Sequence, residues 1–101
     1  MYILNITYVI TENKVVLWKN WLKETTASNQ LTINPPAFRI YKINHIAEEG
    51  QTSFSVQFDF DNFSHLTLFE KELEIAHAQS LSSLLGAHCL FFNTTLTKEE
   101  L

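Results

Sequence analysis

The stretch Thr52-Ser-Phe-Ser-Val-Gln-Phe-Asp-Phe60 decides the fold. Its even positions are Phe54, Val56, Phe58 and Phe60, and its odd positions are Ser53, Ser55, Gln57 and Asp59. Successive strand side chains point to opposite faces, so this is a strand with one apolar and one polar side. Four bulky apolar residues on one side require a layer of helices over them. The polar side lies mid-sheet, where it must serve as a wet interface or a pocket wall.

Upstream, Tyr2 to Ile10 reads as a first strand with apolar residues on both faces, which fits a central position. Thr11 is a fitting N-cap for a helix running to about Ala27. At about 100° per residue, Val15, Trp18 and Leu22 share one face of that helix. Leu17 and Trp21 widen the apolar arc to roughly 160°, more than a simple surface helix needs, so a partner chain or the C-terminal tail is expected to cover them. Ser28 to Pro36 is a turn-rich connection whose Asn34-Pro35-Pro36 cannot continue a helix, with Leu31 and Ile33 as its anchors.

Ala37 to Ile46 is an edge strand. Ala47 to Gln51 is a hairpin turn in which Gly50 supplies a positive φ. After the Phe-faced strand, Asp61 is the expected cap of a second helix, with Ser64 its rival. Leu66, Phe69, Leu73, Ala76, Ser80 and Leu84 line one side of this helix to Leu84 or Leu85, where Gly86 stops it. Leu68 and Ile75 fall on the opposite side, a second hint of a partner surface. His88 to Leu96 is the fourth strand, and residues 97–101 form a polar tail.

The order is βαββαβ. Right-handed crossovers through the two helices give a four-stranded antiparallel sheet in the order 4-1-3-2, with two helices on one face. This is the ferredoxin-like α+β arrangement. The whole chain of 101 residues forms one domain.

Composition narrows the function classes. The net charge of −4 and the scattered Lys and Arg disfavour nucleic acid, which needs a concentrated basic face. The largest basic grouping is Lys14, Lys19 and Lys23 along the first helix. The single cysteine, Cys89, excludes an internal disulfide and a multi-cysteine zinc site, and reads as a buried inert thiol. With no apolar stretch near about 20 residues and no secretion signal, a soluble cytoplasmic protein is expected. His45, His65 and His88 are scattered and no pair has metal-ligand spacing, so no metal is called for. No nucleophile elbow, phosphate loop or dinucleotide fingerprint is present, and no cofactor is implied.

Several segments carry a resemblance. Tyr2 to Tyr8, Trp18-x-x-Trp21-Leu22-Lys23, Ser53-Phe54-Ser55-Val56-Gln57-Phe58, and Gly86-Ala-His-Cys-Leu-Phe-Phe-Asn-Thr-Thr-Leu96 resemble, in matching order, a bacterial domain of unknown function, DUF4286. The likeness spans nearly the whole chain, and its motifs are structural rather than catalytic. It departs after the tryptophan helix, where Thr25-Thr26-Ala27-Ser28 replaces a His-Ile-Pro-like segment. The resemblance implies a dimeric α+β barrel, in which two sheets pack with their open faces together. Asn5, Thr7, Tyr41, Ser55, Gln57 and Asn93 would then point into the dimer or line a cavity beside it, with Ile3, Val9, Ile43 and Phe91 supplying apolar contact.

His77, on the apolar stripe of the second helix, is the sharpest local signal. Buried there it must find a hydrogen-bond partner, and a satisfied structural histidine is its ordinary reading. Some relatives of the fold ligate haem through a helix histidine beside a strand-one asparagine, so Asn5 and His77 admit that analogy at the level of fold alone. Trp18 and Trp21 are ordinarily core and interface residues.

Three functions compete. The first is a non-catalytic homodimer that acts as a binding or interaction module through its open sheet face. The second is a cofactor-independent enzyme of the antibiotic-biosynthesis-monooxygenase type, with Asn5, Trp21, Gln57 and His77 around a small-molecule pocket between sheet and helices. The third is a small-ligand sensor domain. An enclosed pocket reached by Asn5, Gln57 and His77 would favour the second, and a filled core the first.

Overall fold

The computed structural model describes residues 1–27, 37–44 and 48–101. Strand β1 (Tyr2–Thr11) leads through a 3-10 turn (Glu12–Lys14) into α1 (Val15–Ala27). Strands β2 (Ala37–Lys42) and β3 (Gln51–Phe60) come next. A long helical rod comprises α2 (Phe63–Ala76), a π turn (His77–Leu81) and α3 (Ser82–Leu85), and β4 (Cys89–Thr97) closes the fold. The expected loop at Ser28–Pro36, His45 and the end of the expected second strand lie outside the described residues.

The sheet order is β2-β3-β1-β4, fully antiparallel at every pairing, which is the expected order read from the other edge. β1 and β3 are the central strands. Their register sets Leu4 opposite Phe58, Ile6 opposite Val56 and Tyr8 opposite Phe54, so both apolar rows share the helix-covered face. These residues join Trp18, Leu22, Leu66, Phe69, Leu73, Leu81 and Leu85 in one core. Phe69 seals its centre, with ring centroids 4.8 Å from Phe58 and 5.3 Å from Phe60.

Chain turns obey local chemistry. Gly50 has φ +83° in the β2–β3 turn, closed by the Gln51 N–H donating to the Glu48 carbonyl at 3.1 Å. Gly86, at φ +51°, ends the helical rod as expected. Two cap assignments are corrected. The second helix is capped by Asn62 rather than Asp61, because its Oδ1 accepts from the Ser64 and His65 N–H groups at 2.7 and 3.2 Å. Thr11 makes no side-chain cap bond, and its hydroxyl pairs instead with Nδ1 of His88 at 3.2 Å.

Two packing expectations also change. Trp21 is buried beneath the second helical rod, where its Nε1 donates to Ser80 Oγ at 2.8 Å, so neither tail nor partner is needed to cover it. Leu17, expected beneath a partner chain or the tail, is left 40% exposed by its own chain, and Leu68 and Ile75, on the opposite side of the second helix, are exposed as well. The larger change concerns β4. Its register places Phe91 opposite Tyr8 and Asn93 opposite Ile6, which turns both toward the helices. Phe91 packs on His77, and Asn93 donates to Glu70 of α2. Leu90, Phe92 and Leu96, opposite Val9, Thr7 and Ile3, face the open side instead.

Candidate functional site

The four residues grouped by the sequence pattern do not meet. Asn5 and Gln57 are cross-strand partners on the open sheet face, whereas Trp21 and His77 lie on the helix-covered face. One pocket cannot be lined by all four, because the sheet stands between the pairs.

On the covered face His77 sits at the first position of the π turn. A π turn inserts one residue into a helix and re-aims the side chains beyond it, and such turns recur at functional sites. Here the turn brings His77 against three rings, with centroids 4.1 Å away at Phe91, 5.5 Å at Trp21 and 5.6 Å at Tyr8. Its Nε2 is 2.7 Å from the Tyr8 hydroxyl, a buried hydrogen bond linking helix to central strand. Burial pushes the imidazole down to about 4, since a charged ring would lose its water. Burial also holds the Tyr8 phenol well above its ordinary range, with the nearby Cys89 adding to the effect. The Cys89 thiol is pushed up to about 11 by burial, which keeps it protonated and unreactive at neutral pH. With Trp18 stacked on Phe54 at 4.9 Å and leaning on Tyr8 at 5.0 Å, this region is filled with aromatic side chains. A haem does not fit the pair considered for it, since Asn5 lies on the other side of the sheet and His77 Nε2 is engaged by Tyr8.

The open face has two characters. Down its middle, Ser55 donates to the Asn5 side-chain oxygen, the Asn5 amide donates to Thr7 at 3.4 Å, and the Gln57 amide reaches Ser55 at 3.5 Å. Beside this strip Arg39 grips Asp59 with two bonds of 2.7 and 2.8 Å, a fork-to-fork geometry. The hydrogen-bonded guanidinium holds the Asp59 carboxyl below its usual range, against a desolvation effect that would raise it. Toward the β4 edge the face becomes apolar, with Leu90 60%, Phe92 58% and Leu96 42% exposed.

A third feature is one that sequence reasoning missed. Between α1 and the β2–β3 pair runs a groove of about 620 Å³, floored by Leu22, Phe38, Ile40 and Phe54 and rimmed by Lys19, Lys23 and Lys42. Its signal is present in the chain: Lys19 and Lys23 are four apart on one helix, and Lys42 continues the helix-facing row of Phe38 and Ile40. Along the sequence the first two look merely spread over one helix, because Lys42 is distant from both.

Sheet order, crossovers and helices on a single face together define a ferredoxin-like α+β domain. The solved structures similar to it agree. One is a dimeric ferredoxin-like protein from an uncultured marine organism, with TM-score 0.70, 9% identity and coverage of 99% of this chain and 98% of the other. A second dimeric ferredoxin-like protein from an uncultured marine organism has TM-score 0.59 at 18% identity, covering 100% and 99%. The de novo designed protein Foldit4 has TM-score 0.58 at 19% identity, covering 97% and 98%. The chain belongs to the DUF4286 family, a domain of unknown function whose profile matches residues 1–99. No curated protein matches it significantly. Among the described residues, no helix is long and apolar enough to cross a membrane.

Proposed function

We propose that this chain acts as a homodimeric binding module whose two sheets pair through their open faces. One observation carries the reading: β4 turns its bulkier apolar row, Leu90, Phe92 and Leu96, away from its own core. A strand covered on one side normally points such residues inward. Facing outward, they form two apolar groups, Leu90 and Phe92 with Val9 and Leu96 with Ile3, on either side of the Asn5–Thr94 pair, and exposed apolar groups of this size mark protein–protein contacts. The hydrogen-bonded strip of Asn5, Thr7, Ser55 and Gln57 and the Arg39–Asp59 pair present already satisfied polar groups, which a partner sheet can cover without orphaning them. The description of two similar folds as dimeric supports the same reading.

The monooxygenase-like alternative depended on a pocket joining Asn5, Trp21, Gln57 and His77. With these divided between two faces, no observation favours it over the dimer.

Light scattering on the purified chain at micromolar concentration tests the proposal. The expected mass is twice 11.7 kDa. A Leu90→Lys/Phe92→Lys variant is expected to run at the mass of one chain while circular dichroism still reports the α+β fold. A wild-type monomer, or a double variant that stays dimeric, would refute this interface.

A further inference from the structure

We propose that the groove between α1 and β2 binds a small amphipathic anion, namely a free aliphatic carboxylate of medium chain length. The ammonium groups of Lys19, Lys23 and Lys42 would meet its head, and Leu22, Phe38, Ile40 and Phe54 its tail. This goes beyond the dimer reading and does not depend on it, since the groove is built within one chain on the helix side of the sheet.

The argument starts from charge. The chain has a net charge of −4 and only seven Lys and Arg residues, yet three of them rim this one groove. Among the described residues that line it there is no Asp or Glu. Lys19 and Lys23 project from the same face of α1, being four apart. Lys42 approaches from the opposite wall. Lys42 also lines an adjoining depression with Glu12, Glu48 and Glu49, so Lys19 and Lys23 carry most of the positive charge that this groove presents to a ligand. Lys19 already leans inward, its Nζ 5.6 Å from the Phe54 ring centroid.

The floor supplies the second half. Phe38 and Ile40 are 42% and 44% exposed although they point to the helix-covered side of the sheet. Phe38 stacks on the core residue Phe58 at 5.5 Å, and Trp18 stacks on Phe54, so the floor is anchored to the rigid centre of the domain. A volume of about 620 Å³ falls within the usual range of small-molecule sites, which are mostly apolar with a few charged groups that orient the ligand. The bland alternative assigns Lys42 to guarding an edge strand and the helix lysines to solvation. It explains the charges but not the apolar floor that the described residues leave between them.

Titration of the intact protein with decanoate below its critical micelle concentration, followed by calorimetry and by tryptophan fluorescence, provides the test. Saturable binding at one site per chain is expected. A Lys23→Glu/Lys42→Glu variant should weaken it about tenfold, in line with two reversed surface pairings. Decanol, which keeps the tail and lacks the charge, should bind at least several-fold more weakly. The Leu90→Lys/Phe92→Lys variant should bind decanoate as the wild type does, so failure of the dimer reading and failure of this one are separable. Absence of saturable binding overturns the proposal, and so does equal binding of decanol and decanoate. Sedimentation with phosphatidylglycerol vesicles in the absence of decanoate binding would assign the groove to a lipid surface and equally overturn it.

Discussion

Acidification from about pH 7 to about pH 4.5 is expected to destabilise this fold by about 2.5 kcal/mol through His77 alone. In the unfolded chain the imidazole titrates near its ordinary value of 6.5, and in the fold burial lowers it to about 4. The unfolded state therefore takes up the proton first. Between these two values unfolding binds a proton, so stability falls as pH falls through that window. Above 6.5 both states hold a neutral ring and nothing is lost. Below 4 both are charged and the whole penalty, about 3.5 kcal/mol at roughly 1.4 kcal/mol per pKa unit, is present. The geometry accounts for the penalty: His77 is 2% exposed, and the groups packed on it are Tyr8, Trp21 and Phe91, none of which neutralises an imidazolium. Urea unfolding at both pH values, at one fixed protein concentration, reads the effect. Carboxylates such as Asp59 add their own acid sensitivity, so the informative quantity is the difference from a His77→Gln variant, which cannot titrate at this position. The wild type should lose about 2.5 kcal/mol more than the variant over the interval. Equal losses, within about 0.5 kcal/mol, would mean that the buried imidazole finds water or a counter-charge on protonation, and would refute the reasoning.

Two further outcomes rest on single contacts. Tyr8→Phe and His77→Leu each leave the other partner of the 2.7 Å bond buried and unsatisfied, so each should cost about 1–3 kcal/mol. The double variant removes both polar groups and should cost less than the sum by at least about 1 kcal/mol, whereas additive losses in thermal or urea unfolding would show the bond to be energetically silent. At the start of α2, Asn62→Ala should lower stability by about 1 kcal/mol while Asp61→Ala stays within about 0.5, and the reverse order would overturn the cap assignment.

The element order and the central pairing were legible because they rest on strong periodic signals. Phe54, Val56, Phe58 and Phe60 alternate without exception, and Leu66, Phe69 and Leu73 recur at helical spacing, so a tertiary fold had little freedom to override them. The helix cap was less legible. Asp61 and Asn62 are both good caps, and the choice depends on where the chain leaves β3, which adjacent polar residues do not reveal. The π turn at His77–Leu81 had no local signature, since HAQSL continues the helical pattern of its neighbours. The lysine groove was illegible for a different reason: Lys42 joins Lys19 and Lys23 only once the crossover from β1 through α1 has set β2 beside that helix.

The phase of β4 shows where periodicity stops. An alternation of two divides a strand into two rows without saying which row faces in. For β3 the contrast between phenylalanine and serine settles the matter. In β4 the rows Cys89-Phe91-Asn93-Thr95 and Leu90-Phe92-Thr94-Leu96 are both mixed, and the more apolar row suggests itself as the inner one. The ladder with β1 reverses that choice, because Tyr8 lies opposite Phe91 and Thr7 opposite Phe92. Cross-strand partners share a face, so the orientation of β1, pinned by four wholly buried side chains, dictates that of its neighbour. The less apolar row is sufficient inside because β4 lies at the sheet edge, where Phe91 meets His77 and Asn93 finds Glu70 of α2. The more apolar row is then left outside, and selection for solubility alone would not keep leucine and phenylalanine there. That inversion of the usual strand pattern is the observation on which the proposed pairing through the sheet rests. In the proposed pairing, the polar strip opposite the phenylalanines of β3 would lie mid-contact, with the apolar residues on its β4 side.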